Sequence, residues 1–198
     1  IKSEVAQARF DPLPGHEPRP STVVPVTQDR SWPRYDWSKR HADTSAAVKR
    51  AQPRLLFIGD SITHFFGGEQ FDGYALRGPN TWDEFYAPRR AGNLGFGWDK
   101  TENVLWRLQH GAIDGIAPQL IVMMIGTNNS GDCSAPDIAA GITAIVGELN
   151  QRLPRAKILL LGIFPRGEKP GPRRDTLAAV NRLIARLDGT RNVTFLDI

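Results

Sequence analysis

A serine, a glycine and an asparagine each stand at the end of a short apolar run, and together they meet the needs of acyl transfer. Ser61 follows Leu55-Leu56-Phe57-Ile58-Gly59-Asp60, Gly95 closes Ala91-Gly92-Asn93-Leu94, and Asn128 follows Leu120 to Ile125 and Gly126-Thr127. A serine hydroxyl can attack an ester carbonyl, and the oxyanion that develops needs two or three aimed donors. The backbone N–H groups of Ser61 and Gly95 and the side-chain amide of Asn128 would supply them. Asp60, Trp98 and Asn129 adjoin these positions and are candidate pocket residues. Ser61 is also a natural N-cap for the segment that follows it, so position alone leaves cap and nucleophile both open.

The three residues converge only if their runs are neighbouring parallel strands, since open α/β sheets bind ligands at the carboxyl edge. The unbroken apolar runs at 55–58, 120–125 and 157–163 predict strands buried on both faces, with weaker strands at 91–95 and 193–196. Between them lie helical patterns. Asp36 to Gln52 stops at Pro53, and 62–66 makes a short turn. Asn80 to Tyr86 is a short helix, and another runs from an Asp99 cap, with Glu102 three residues on, to about Gln109. A further helix opens at Pro136 with Ile138, Ile142, Ile145, Val146 and Leu149 on one stripe, and the last carries Leu177, Val180, Ile184 and Leu187. Strand and helix alternate throughout, which predicts an α/β fold with a parallel sheet between helical layers. Residues 1–35, rich in proline, read as an extended arm, and 36–198 as the domain. Trp32 and Trp37 are placed to anchor the end of that arm, and His16 is a surface residue on it.

Other residues invite chemistry and have plainer readings. His64 lies one turn after Ser61, but helical side chains lean towards the N-terminus, so a bond back to Ser61 is poorly aimed; base, pocket wall and structural residue stay open. His41 reads as a packed structural histidine and His110 as a helix-end residue. Cys133 sits in a polar loop with no evident base beside it. Arg166 and Glu168, in the loop after the fourth strand, either face a substrate or pair with each other on the surface, and the surface pair is expected. Asp60 as a phosphoacceptor or metal ligand lacks the acidic companions that Mg²⁺ needs, so no metal and no cofactor is expected.

The sequence resembles the SGNH (GDSL-type) esterase family. Gly59-Asp60-Ser61, Asn93-Leu94-Gly95 and Gly126-Thr127-Asn128-Asn129 are similar to its first three blocks, in family order. Val104-Leu105-Trp106-Arg107-Leu108 and Leu161 to Pro170 resemble the platelet-activating-factor acetylhydrolase catalytic-subunit branch. The resemblance implies a three-layer sandwich with a flavodoxin-like sheet of order 2-1-3-4-5. It implies a serine esterase that removes short acyl groups, chiefly acetyl, from lipid or carbohydrate alcohols, with a small-molecule or carbohydrate ester as the expected substrate. It also implies an Asp-x-x-His after the last strand, which these 198 residues do not contain. The expectation is that the C-terminal part, roughly 30–40 residues of loop and covering helix, is missing. The alternatives are a binding module on an esterase scaffold, without turnover, or a lipid-directed acetylhydrolase or lysophospholipase. Trp98 stands where related sequences carry a glycine, and is expected either to limit acyl or alcohol size or to pack outward.

Composition fits one globular domain: 40% hydrophobic and 23% charged residues. A net charge of +4 is spread along the chain without a basic stripe, which argues against a nucleic-acid surface. No apolar run reaches the roughly 20 residues of a membrane helix. The first residue is Ile1 and not Met, so export with removal of a leader is compatible with the sequence, as is an oligomer.

Overall fold

Short apolar runs that do not alternate are suited to strands covered on both sides, and here they become one parallel sheet. The structure, a computed structural model, describes residues 19–29 and 35–198. His16 and Trp32 lie outside the described residues. Five strands, β1 (Leu55–Gly59), β2 (Ala91–Gly95), β3 (Leu120–Met124), β4 (Lys157–Leu161) and β5 (Val193–Leu196), stand in the order β2-β1-β3-β4-β5. Gly59 pairs with Gly95 on one side and with Met124 on the other. The three apolar runs that end in Ser61, Gly95 and Asn128 therefore finish level, at one carboxyl edge.

The two faces of the sheet are unequal. Leu56, Ile58, Leu94, Ile121, Met123, Ile158 and Leu160 face a single large core. They meet Val104, Leu105 and Leu108 from α4 (Thr101–Arg107) and the turn after it, the stripe Ile138, Ile142, Ile145 and Leu149 of α5 (Ala135–Arg152), and Leu177, Val180 and Ile184 of α6 (Pro172–Ile184). Leu55 and Phe57 turn the other way. They pack on Trp82, Phe66 and Tyr86. Trp82 to Tyr86 is a wide turn that continues α3 (Pro79–Thr81). Towards β4 and β5 this second face opens, with Leu159 and Leu161 half-buried and Leu196 47% exposed.

Helix α1 (Trp37–Ala51) is capped by the Asp36 side chain, which accepts from the Lys39 N–H, and ends at Gln52 in the left-handed conformation before Pro53. The start of α4 departs from expectation. Asp99 is not its cap: the cap position is Lys100, whose N–H donates to Asn103 Oδ1 at 2.9 Å, while Asp99 turns inward. A carboxylate at this point has a stronger partner inside than a helix end offers. The arm residues 19–29 lie against the domain. Thr22 is fully buried, the Val26 N–H donates to Glu102 O, and Asn103 Nδ2 donates to Val26 O. Helix α2 (Ser61–His64) follows β1 directly and packs on β2.

Two glycines test this packing in opposite directions. A Cβ on Gly95 would lie 2.2 Å from the His64 backbone nitrogen, whereas one on Gly147, exposed in the middle of α5, would meet nothing within 4 Å. Gly95→Ala is expected to cost about 2–3 kcal/mol or more, and Gly147→Ala to add about 1 kcal/mol. Urea midpoints of the two variants check both signs; a neutral Gly95→Ala would mean that α2 does not press on β2.

Candidate active site

Ser61 is the first residue of α2, one position inside the helix. The cap is Asp60, whose Oδ1 accepts from the Ile62 N–H at 2.9 Å. The helix therefore does not use the Ser61 hydroxyl, which has no hydrogen-bond partner among the described residues. Its N–H belongs to the first turn, where intrahelical acceptors are lacking. Asp60 is 1% exposed. Burial pushes its carboxyl up to about 6, against the pull of the Ile62 N–H and the Arg166 guanidinium, with Asp99 adding to the rise.

The loop after β2 faces α2, and its amides are committed one by one. The Gly95 N–H donates to Asn93 Oδ1 at 2.7 Å, the Phe96 N–H to Gly59 O, the Gly97 N–H to His64 Nδ1 at 3.0 Å, and the Asp99 N–H to Phe96 O. The Gly95 amide, a candidate oxyanion donor in the sequence, is here bonded within its own turn. What this glycine contributes is closeness, because any side chain would collide with α2. For His64, open between base, pocket wall and structural residue, the geometry favours the structural reading. Its Nδ1 accepts from Gly97 and its Nε2 faces Asp72 at 3.2–3.3 Å, so both ring nitrogens are occupied. Burial lowers its pKa, with the Asp72 bond opposing. The neutral ring, protonated on Nε2, holds the loop and cannot serve Ser61 as a base. Burial works to raise the Asp72 pKa, but the His64 and Arg40 bonds outweigh it and hold the carboxyl below its ordinary value.

The loop carbonyls are held just as tightly. Arg40 donates from Nε and Nη2 to Gly95 O at 3.2 and 2.8 Å and from Nη1 to Asp72 at 3.0 Å. Gly97 O accepts from the Tyr35 hydroxyl at 2.6 Å and from Gln28 Nε2 at 3.0 Å, both reaching from the N-terminal side. Asp99, with no exposure, accepts from Arg107 Nε, Trp37 Nε1 and Gln28 Nε2 at 2.8–2.9 Å. Arg107 is itself fully buried, its guanidinium 3.9 Å from the centroid of the Phe96 ring. The Asp99 carbonyl then accepts from Asn128 Nδ2 at 2.9 Å. One amide hydrogen of Asn128 is fixed by that bond, and the planar group sets the direction of the second, which no described residue takes up.

Asn129 does not line a pocket. It is fully buried, its Oδ1 takes the Thr101 N–H and its Nδ2 donates to Glu102 Oε2 at 2.9 Å, so it ties the third block to α4. Trp98 is half-buried with φ 68°, and lines a cavity of about 230 Å³ with Gln28, Tyr35, Asp36 and Trp37; neither Ser61 nor Asn128 borders that cavity. Arg166 makes no surface pair with Glu168. Its Nη1 donates to Thr127 O at 2.9 Å, beside Asn128. His41 packs against Trp37 and Trp106, as a structural histidine should, and His110 stacks on Trp106. No described histidine is bonded to Ser61, and no group of three or more His, Cys, Asp or Glu suited to a metal lies among the described residues.

Sequence reasoning missed Asp72, Arg107, Tyr35 and Gln28. Arg107 had a signal: it sits between Leu105 and Leu108 on a face that Val104 and Leu108 bury, where a cation needs a buried partner. Asp72, Tyr35 and Gln28 come from irregular segments, where no periodicity marks an inward side chain.

A parallel sheet of this order, with a serine at the first turn after β1 and an asparagine beyond β3, defines the SGNH type of hydrolase fold. The family model described as GDSL-like lipase/acylhydrolase matches residues 57–198, and the chain belongs to that family. It is 40% identical over 162 residues to platelet-activating factor acetylhydrolase IB subunit alpha2 of Homo sapiens, covering 81% of this chain and 66% of that protein. The alpha1 subunit of Bos taurus is 37% identical over 162 residues, with 81% and 65% covered. The chain thus spans just under two thirds of the length of these relatives. Among solved structures, an acetylxylan esterase from Geobacillus stearothermophilus aligns with TM-score 0.57 at 22% identity, covering 73% of this chain and 75% of that one. A GDSL-like lipase from Bacteroides thetaiotaomicron aligns with TM-score 0.56 at 21% identity, covering 80% and 76%.

The buried Asp60 makes stability depend on pH. Folding raises its pKa from 3.8 to about 6. The cost is therefore complete above about pH 6, where the carboxylate is ionised, and disappears below about pH 4. Two units correspond to about 3 kcal/mol at most. Asp60→Asn keeps an oxygen for the Ile62 N–H, and is expected to raise the denaturation midpoint at pH 8 and to leave it unchanged at pH 4. An equal shift at both pH values would place the effect elsewhere than in the charge.

Proposed function

We propose that this protein is a serine carboxylic-ester hydrolase, with Ser61 as nucleophile and the Ser61 N–H and the Asn128 amide as oxyanion donors. The observation that carries the reading is the Ser61 hydroxyl at the first position of α2, without a hydrogen-bond partner among the described residues, with Asp60 serving as the cap. Attack of Oγ on the ester carbonyl forms the Oγ–C bond and pushes the carbonyl electron pair onto oxygen. Collapse of that oxyanion expels the alcohol and leaves the acyl-enzyme, which water then cleaves. A general base must accept the serine proton; His41, His64 and His110 are all engaged elsewhere. The resemblance assigns that task to an Asp-x-x-His.

Acetyl is the proposed acyl group. Acetylhydrolase subunits stand among the relatives of this chain and an acetylxylan esterase among its structural neighbours. For the alcohol, an O-acetylated carbohydrate is the first proposal. The 40% identity to platelet-activating factor acetylhydrolase subunits favours an acetylated lipid as the second.

In the full-length protein a fluorophosphonate probe should attach to Ser61, and Ser61→Ala should abolish both labelling and hydrolysis of p-nitrophenyl acetate. Folded protein that neither labels nor turns over would make it a binding module on an esterase scaffold. Asn128→Ala is expected to lower kcat by about 10²–10³ with the fold intact; a loss below about threefold would remove Asn128 from the mechanism. Activity on acetyl esters should exceed that on butyryl esters. Parallel assays of acetylxylan and an acetylated glycerophospholipid then decide the alcohol.

A further inference from the structure

A cavity of about 710 Å³ opens between the loop after β4, the first turn of α6 and the segment just beyond Asn128. Four cationic side chains line it, Arg166, Lys169, Arg173 and Arg174, and no acidic one. Among the described residues none of the four has a carboxylate within 4.0 Å. Glu168 and Asp175 are exposed and lie outside the lining, as does Asp132 between Gly131 and Cys133, whose carboxylate bonds Lys100 at 2.9 Å.

Several of these cations are held in place. Arg166 Nη1 is fixed on Thr127 O, and Arg174 Nη2 on Gly167 O at 3.0 Å, while Arg174 Nε is buried without a partner among the described residues. The Arg173 guanidinium lies against Gly131, where a Cβ would come within 3.2 Å of it. Grouped like charges repel, and a bound oxyanion relieves that repulsion while taking up paired N–H donors; guanidinium forks match phosphate and carboxylate geometry. The place also matters. Thr127, which holds Arg166, immediately precedes Asn128, and Ser130 lines the cavity two residues after it.

We propose that this cavity is a subsite for a small oxyanion, a phosphate or carboxylate group that the ester substrate carries away from its scissile bond. Selection of such esters rests on the hydrolase reading of Ser61, whereas oxyanion binding stands without it.

Calorimetric titration at low salt with inorganic phosphate, and separately with galacturonate, tests the subsite. Saturable binding is expected, weakened about tenfold or more in the Arg173→Gln/Arg174→Gln double variant. Lys169→Gln, on the exposed loop, should weaken it in the same direction and carries little risk to folding. Ser61→Ala should bind phosphate as the wild type does, which separates failure of the subsite from failure of the esterase reading. Tighter phosphate binding assigns the charge to a phosphate-bearing alcohol, and tighter galacturonate binding to an acidic sugar. No saturation below about 10 mM, or equal binding by the wild type and both variants, means an adventitious ion only and overturns the proposal. In the active protein, the double variant should lower kcat/KM for an anionic acetyl ester relative to a neutral one; an unchanged ratio would separate the cavity from the substrate.

Discussion

The Asp99 carboxylate, sealed from solvent at the carboxyl edge of the sheet, is the constraint that the rest of the site answers to. A buried carboxylate is tolerated only when paired and fully hydrogen-bonded. That requirement accounts for a fully buried Arg107 on α4, for Trp37 at the start of α1, and for Gln28 reaching in from the arm. Arg107 in turn rests its guanidinium on Phe96, which also carries the Arg40 guanidinium at 4.9 Å. Removal of either member of such a buried pair typically costs about 3–5 kcal/mol, because the other is left uncompensated. With its side chain anchored, Asp99 can present its backbone carbonyl to Asn128 without motion. The orientation of the Asn128 amide is thus traced through two hydrogen bonds to the buried Arg107 charge.

The sequence was most legible where regular structure repeats. Strand runs such as Leu55–Gly59 and Leu120–Met124, and the Ile138-Ile142-Ile145-Leu149 stripe, predict sheet and helix because burial imposes a period on them. Strand order, and with it the convergence of Ser61 and Asn128, came from the family resemblance and is the observed order. What stayed hidden was the use of each polar atom. A strand end points to Gly95 as a donor, and adjacency to Asn128 points to Asn129 as a pocket residue, but neither signal says where a polar atom is spent. The structure shows the hydrogen-bonding groups of both residues turned inward, since a buried turn must satisfy its own amides before it can serve a ligand. Asp99 has the spacing of a helix cap, yet an arginine eight residues on, with no place in that spacing, outcompetes the helix end.

His64 shows how nearness in sequence misleads. One turn of helix separates it from Ser61, and catalytic serines work with histidines. Yet the same turn directs its ring to Gly97 and Asp72. There it forms a carboxylate–imidazole–amide chain, with the roles of an orienting group and a proton carrier turned to holding a loop. Arg40 closes that chain by bonding both Asp72 and Gly95 O, so that β2 and α2 are joined through side chains as well as by packing.

The clasp around this loop also orders events in time. Gln28, Tyr35, Trp37 and Arg40 are all synthesised before residues 95–107, on which they close. While the chain emerges from the ribosome, their polar groups have only water for a partner, and the first helix has no sheet to lie on. Domains generally fold as units, and here the reason is specific. Gln28, Tyr35, Trp37 and Arg40 reach their final partners only when the loop beyond β2 and the helix bearing Arg107 have been made. Birth order and structural order run in opposite directions around the loop that faces the Ser61 helix.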